Sequence, residues 1–392
     1  MRVLVLGGGY AGVALTRRLE DRLPNDVDLL LVDDTGEHLV QHELHRAIRR
    51  PAIVDEISIP LSDVTYRADV KTAAVTGIDA DEQAVTLADG EDIEYDACAV
   101  CLGAETADYG IPGVTEHGQP LKRLPDAEAI RADFLDALDR PDGRVVIGGA
   151  GLSGVQTAGE LAALAREELG SVDAGPELLL LEQQSSVAPG FDAAFQDAIA
   201  QALRDRGVRI RTDAVVAGAD GDGVTLAGGE EIACEQFVWT GGITGTAALD
   251  GERPGVRSDL RIADRTFALG DAARVVDADG GPVPASAQAA VREARAVAES
   301  VVRLVDQEQE TESGDEGEAL FPPRPEQFRF DAAGWVVSVG DGAVAQIGPA
   351  VLTGRAAKAA KAGTGAGYLG SVGEIERALD LVYDELGAAG DR

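Results

Sequence analysis

Two glycine-rich turns carry the first chemistry legible in this chain. Gly7, Gly9 and Gly12 stand in V-L-V-L-G-G-G-Y-A-G-V-A-L, and Gly149, Gly151 and Gly154 repeat the spacing in R-V-V-I-G-G-A-G-L-S-G-V. In a G-x-G-x-x-G turn between strand and helix, the first glycine allows the tight turn, the second lets backbone approach a pyrophosphate, and the third permits close packing of helix on strand. The helix start then offers N–H groups and the positive end of its dipole to the anion. Each turn is followed by an apolar strand ending in an acid. These are D-L-L-L-V-D at Asp33, with Asp34 next to it, and E-L-L-L-L-E at Glu182. Such a carboxylate can accept from ribose hydroxyls. Glu182 has no arginine beside it, which favours NAD over NADP because a 2′-phosphate would be repelled there.

Two other groupings invite chemistry and are read as structural. Cys98 and Cys101 form C-x-x-C, but they fall in an expected strand where odd spacing sends side chains to opposite faces, so buried thiols are expected. The three cysteines, with Cys234, make neither a disulfide framework nor a zinc spacing, which points to a reducing compartment. His38, His42 and His45 have helical spacing without a matching carboxylate or cysteine set, so no metal is expected.

The elements that must position the glycine turns follow one plan twice. Residues 68 to 102 are strand-rich, with a small hairpin around Ala88-Asp89-Gly90 that returns to the main sheet. After the second turn, D-G-V-T-L-A-G-G-E-E-I leads likewise to Q-F-V-W-T-G-G. A later strand, R-T-F-A-L-G-D-A-A, runs into Gly270-Asp271. Ser286 is read as the N-cap of an alanine-rich helix to about Val305. The acidic stretch Asp306 to Glu318 reads as a solvated loop or linker. From Phe328 the pattern is strand-like, in F-R-F, G-W-V-V-S-V-G and A-V-A-Q-I-G, and the chain closes as helix. The expected fold is α/β, with two Rossmann-like dinucleotide-binding domains plus a small C-terminal α+β region. The first domain takes residues 1–115 and 255–305, the second 116–254, the acidic linker 306–320 and the C-terminal region 321–392. In that last region Arg355, Lys358 and Lys361 share one face. They precede an amphipathic helix with Ile375, Leu379, Val382 and Leu386 and an acidic polar side of Glu374, Glu376, Asp380, Asp384 and Glu385.

Composition excludes other classes. The 392 residues carry 69 acids against 34 bases, a formal charge of −35. A phosphate backbone needs a basic footprint, so nucleic acid is not an expected partner. With 45% hydrophobic residues the chain can fill sizeable cores. Its self-repulsion would be strong in dilute buffer but is screened within roughly 3 Å in molar salt, and only four basic residues are lysine. A salt-rich cytoplasm, and hence a halophilic source, is the expectation. No stretch reaches the ~18 to 20 apolar residues of a membrane span, and the opening apolar run is too short for a signal peptide core.

Taken together, these segments resemble the flavoproteins with two dinucleotide-binding domains, of the glutathione-reductase-like kind, and within them the type II NADH dehydrogenases. The resemblance rests on the two turns with their acids, on Asp96 to Gly103, Ala268 to Asp271 and Trp239 to Gly242. It rests also on H-L-V-Q-H-E-L-H-R-A at His38 to Ala47 and on the C-terminal G-W-V-V-S-V-G-D-G-A-V-A-Q-I-G with G-P-A-V-L-T-G. It implies FAD on Gly7, Gly9, Tyr10, Ala11, Gly12, Asp33, Asp34, Val75, Gly103, Gly270, Asp271, Ala287 and Gln288. NAD(H) would lie on Gly149, Gly151, Leu152, Ser153, Gly154, Glu182, Gly241 and Gly242. Gln288, in the first turn of its helix, would meet the flavin ring or an incoming quinone as the catalytic-side residue. The implied activity is hydride transfer from NADH to FAD and two-electron reduction of a quinone, menaquinone first, without proton pumping. The C-terminal region would dock on the inner face of the membrane, on the protein's own body or on a second subunit. Two departures from the family pattern stand out: Gln156 replaces the usual glutamate in the helix after the second turn, where it bears on the nicotinamide, and Arg292 replaces the second glutamine of the quinone-side A-Q-x-A-x-Q. A soluble reductase with an iron–sulfur protein as acceptor, and a redox-sensing protein that holds both nucleotides without turnover, are the alternatives.

Overall fold

The computed structural model describes residues 1–140, 142–312 and 324–371, together with Glu374 and Arg377. The chain divides into two compact units. The first comprises Met1–Val40, Ser58–Glu105 and Thr244–Ala332; the second comprises Gln41–Ile57, Thr106–Ile243 and the residues from Ala333 onward.

The first unit is built on a six-stranded sheet. Its strands lie in the order Arg261–Ala263, Thr266–Ala268, Ala97–Val100, Arg2–Leu6, Asp28–Asp33 and Asp69–Thr72. All neighbours are parallel except the first pair. Val3, Leu4, Val5 and Leu6 are essentially unexposed, as expected of a parallel strand covered on both faces. Helix Tyr10–Glu20 packs against the long helix Ala287–Glu312. The hairpin region forms a small antiparallel sheet of Val75–Asp79, Ala84–Leu87 and Asp92–Glu94.

The second unit repeats this plan with a four-stranded parallel sheet in the order Arg209–Arg211, Glu177–Leu181, Arg144–Gly148 and Gln236–Trp239. Its antiparallel companion is Val216–Asp220, Gly223–Leu226 and Glu231–Ala233. Both companions carry a register shift two residues into the first strand, at Val75/Gly77 and at Val216/Gly218. The internal repeat read from the sequence therefore extends to the bulge. A C-terminal antiparallel sheet, Trp335–Val339, Gly342–Ile347 and Ala350–Thr353, lies against helix Leu152–Leu169. The approach is close: a Cβ on Gly159 would overlap the backbone of Val339 and Gly340.

Three expectations change. The helix opened by Ser286 does not stop at Val305 but continues to Glu312, because Gln and Glu are good helix formers and Arg265 pairs with Glu308. The rest of the acidic stretch lies outside the described residues. Phe328 to Phe330 forms no strand; Phe328 donates to the Ser258 carbonyl at 2.7 Å and accepts from Ala278 N–H at 2.9 Å, while Phe330 N–H donates to the Asp277 carboxylate at 3.2 Å. Arg355 is exposed and Lys358 half-buried, but Lys361 is buried against Glu43 at 3.2 Å, so the three do not make one exposed basic face. The amphipathic helix expected at Ile375 to Leu386 lies outside the described residues.

Candidate functional site

The two glycine turns have the same local geometry. Gly7 and Gly149 take left-handed φ values of +102° and +96°, and a Cβ on either would strike the chain opposite, at Cys101 or at Thr240 and Gly241. A Cβ on Gly12 would overlap the Gly7 carbonyl oxygen, and one on Gly154 that of Gly149. The middle glycines differ: around Gly9 and Gly151 an added Cβ would meet nothing within 4 Å. Two glycines of each turn thus satisfy the fold, while the third keeps a backbone surface open. Gly9 and Gly151 are also the N-caps of the following helices. Among the described residues neither cap has a side-chain hydrogen bond and neither first turn holds an acid. Neither helix start is thus closed by a capping side chain, which is the arrangement an incoming pyrophosphate requires.

The paired acids are pinned to their turns. Asp33 Oδ2 accepts from Gly8 N–H at 2.7 Å, while its Oδ1 accepts from the Thr35 and Gly36 N–H groups at 2.9 and 3.0 Å. Glu182, 5% exposed, accepts from Ala150 N–H at 2.8 Å and from Gln184 N–H at 2.9 Å. Asp34 beside Asp33 is exposed.

In the first unit the remaining expected residues gather around the Gly7 turn. Cys101 lies against Gly7, and Gly103 follows with open space beside it. Gly270 takes φ +67°, and a Cβ added there would stand 3.1 Å from Ala11 and 3.5 Å from Ala290, so the turn sits close to the first helix and brings Asp271 to the same end of the sheet. Ser286 Oγ accepts from Ala289 N–H at 3.3 Å and so caps the helix that begins with Ala287 and Gln288. The Tyr10 ring meets His38 edge-on at 5.4 Å, and His38 Nδ1 donates to the Gly8 carbonyl at 2.8 Å. Val75 is the outlier, starting the companion sheet two residues after Ala73, whose N–H donates to the Asp33 carbonyl. Cys98 and Cys101 are free and buried; burial pushes both thiols well above their usual range, which keeps them neutral.

In the second unit, Trp239 donates its indole N–H to the Ala107 carbonyl at 2.7 Å, and its ring fills the place a Cβ on Gly241 would take. The Tyr109 hydroxyl does the same at Gly242. Thr240 Oγ1 donates toward the Gly149 carbonyl at 2.9 Å, tying this strand end to the turn, where Leu152 and Ser153 open the helix.

Several buried charged groups carry no motif that marks them in the sequence. Glu293 accepts from Gly270 N–H at 2.6 Å. Arg49, from the inserted segment 41–57, donates to the buried Glu160 at 2.7 Å and also reaches Glu167 and Asp341. Glu43 accepts from Arg46 at 3.0 Å and meets Lys361. Burial opposes its charge, yet Lys361, His42 and Arg46 hold Glu43 below the usual carboxylate range. The available signal was a carboxylate inside an apolar helix stripe, as with Glu160 in A-G-E-L-A-A-L-A and Glu293 between Ala290 and Val297. Arg292 turns its guanidinium over the Phe330 ring at 5.9 Å. Among the described residues no group of His, Cys, Asp and Glu could hold a metal ion, and no helix is long and apolar enough to cross a membrane.

Two nucleotide-binding units of this kind on one chain define a class, and comparison with known proteins gives the family. Residues 1–294 match the pyridine nucleotide-disulphide oxidoreductases, and the chain belongs to that family. The cofactors that go with it are FAD and NAD(H). The chain is 31% identical over 255 residues to an NADH dehydrogenase-like protein of Mycobacterium tuberculosis, covering 62% of each. The match thus spans under two thirds of the length of the first curated relatives. It is 26% identical over 333 residues to the type II NADH:quinone oxidoreductase of Staphylococcus haemolyticus, covering 78% of this chain and 83% of that one. The NDH2 of Plasmodium falciparum in complex with NADH superposes with a TM-score of 0.80 over 98% of this chain and 97% of that one. At 13% identity this likeness shows the fold alone.

Proposed function

We propose that the chain is an FAD-dependent NADH dehydrogenase that passes two electrons from NADH to a quinone, menaquinone first, without proton pumping. The observation that carries this reading is the duplicated turn: each has an open middle glycine, a helix start free of side-chain caps, and an acid pinned at the next strand end. The Gly7 turn with Asp33 and Gly270-Asp271 would hold FAD, and the Gly149 turn with Glu182, Gly241 and Gly242 would hold NADH. When bound, FAD supplies the two-electron chemistry, accepting hydride and releasing electrons to the acceptor. The protein's share is to bind, orient and balance charge. Gly9 and Gly151 leave the N–H groups of Tyr10 to Gly12 and Leu152 to Gly154 to the phosphates. Asp33 and Glu182 face the sugar hydroxyls, and the Ser286-capped helix aims its dipole at negative charge. Gln288, in that helix's first turn, is the residue for the flavin ring or quinone.

The C-terminal region is the proposed docking element, for the cytoplasmic face of a membrane or for a second copy. Arg292 over Phe330 is the observation that favours a second reading, in which a fixed cation meets an acidic iron–sulfur protein as acceptor. The test is NADH oxidation by FAD-loaded protein in molar KCl, with a soluble menaquinone analogue and ferricyanide side by side. Saturable quinone reduction is expected. Fast ferricyanide reduction without quinone reduction would overturn the quinone assignment and leave the protein acceptor.

A further inference from the structure

Glu293 lies on the buried stripe of the long helix, 1% exposed, where an ordinary helix would carry an aliphatic side chain. Its carboxylate accepts one backbone bond, from Gly270 N–H at 2.6 Å. The charged groups that face it are Asp271, which repels its charge, and Arg253, which attracts it. The Cys101 thiol, on the sheet side, is neutral. Arg253 spends its guanidinium on other acceptors, donating to the Asp271 and Ala273 carbonyls at 2.6 Å each. The carboxylate is therefore poorly compensated, and burial pushes it up to about 7. Glu293 lines a narrow depression with Arg253, Pro284, Ala285, Ser286 and Ala289.

We propose that Glu293 is the proton-accepting residue of the first unit's nucleotide site, taking a proton from water when an anionic flavin nucleotide settles on the Gly7 and Gly270 turns. The inference rests on reading that unit as the FAD site. A nucleotide brings two phosphate charges to a place already holding Asp271, and it removes water from the turn; both disfavour a second carboxylate. Protonation removes one negative charge without dismantling the turn, because a carboxyl oxygen still accepts from Gly270. No electron moves in this step: a carboxylate and a solvent proton become a carboxyl. Glu293 is thus a positioning residue with a proton account.

The linkage has a definite sign. A group whose bound-state pKa is raised above its free value strengthens binding below the free pKa, and that gain is lost as pH rises through the bound pKa. The experiment is FAD titration of the apoprotein in molar KCl from pH 6 to 9 by flavin fluorescence, with proton uptake followed by an indicator dye in weak buffer. For the wild type the FAD dissociation constant should rise about tenfold for each unit by which FAD raises the carboxyl's pKa, and protons should be taken up near pH 7.5. Glu293→Gln should bind FAD tightly with little pH dependence and without uptake, while its melting temperature, measured alongside, stays within a few degrees. An equal pH slope in Glu293→Gln, or no proton uptake by the wild type, overturns the proposal. The uptake measurement needs no variant, so a Glu293→Gln chain that fails to fold does not protect it. A wild type that binds no FAD at all overturns the assignment of the first unit as well.

Discussion

Replacement of Arg49 by methionine isolates the interaction that ties the inserted segment to the second nucleotide unit. Arg49 and Glu160 are 4% and 1% exposed in their side chains and meet at 2.7 Å, whereas Glu167 and Asp341 are about half exposed. Burial opposes the charge of Arg49, but Glu160 and Asp341 together raise its pKa, so it stays cationic. Burial pushes the Glu160 carboxyl up against the pull of Arg49. Removing the cation leaves an uncompensated buried carboxylate, which costs about 3–5 kcal/mol, while each exposed partner adds at most ~1 kcal/mol. Both tryptophans, Trp239 and Trp335, lie in the second unit, so urea unfolding followed by tryptophan fluorescence reads this unit directly. Arg49→Met should lower stability by about 3–5 kcal/mol, and the double variant with Glu160→Met should recover most of it because no buried charge is left. The loss should grow with pH: a carboxyl whose folded pKa lies above its unfolded value gives stability at low pH that disappears as pH rises through the folded pKa. A loss below ~1 kcal/mol, or a double variant no better than the single, would refute the reasoning.

Other outcomes follow from the same geometry. Gly9→Ala and Gly151→Ala should leave the melting temperature unchanged yet weaken FAD and NADH binding respectively by tenfold or more, roughly the reach of one blocked phosphate approach; Gly12→Ala and Gly154→Ala should prevent folding of their units, as seen by circular dichroism. His45 is buried, and burial followed by Lys361 depresses its pKa well below 6.5, so stability should fall as pH drops below 6.5. Replacing it with glutamine should flatten the urea midpoint between pH 6.5 and 5; an unchanged slope would clear His45 of the effect. With a net charge of −35, the melting temperature should climb steeply from 0.1 to about 2 M KCl, and a flat response would argue against salt screening as a requirement of this fold.

What the chain discloses by itself is local. The Gly7 and Gly149 turns, Asp33 and Glu182 at the ends of the next strands, and Ser286 before its helix were legible because a tight turn, a parallel buried strand and a cap depend on residues within a few positions of one another. The repeat was legible for the same reason, since each copy carries its own hairpin and glycine punctuation. The end of the long helix was not: residues 306–312 have the charge of a linker and the propensity of a helix, and the partner that decides, Arg265, comes from another element. Only tertiary structure could show that Lys361 leaves a seemingly basic face to meet Glu43, or that Arg49 answers Glu160 across more than a hundred residues. Glu293 is the plainest case. Its place on an apolar stripe was visible, but its meaning depends on Gly270, Asp271 and Arg253, which strands and turns from elsewhere bring to it. Local sequence sets where the backbone turns and which face is apolar; the energy of a buried charge depends on everything packed around it, and that is a property of the folded chain alone.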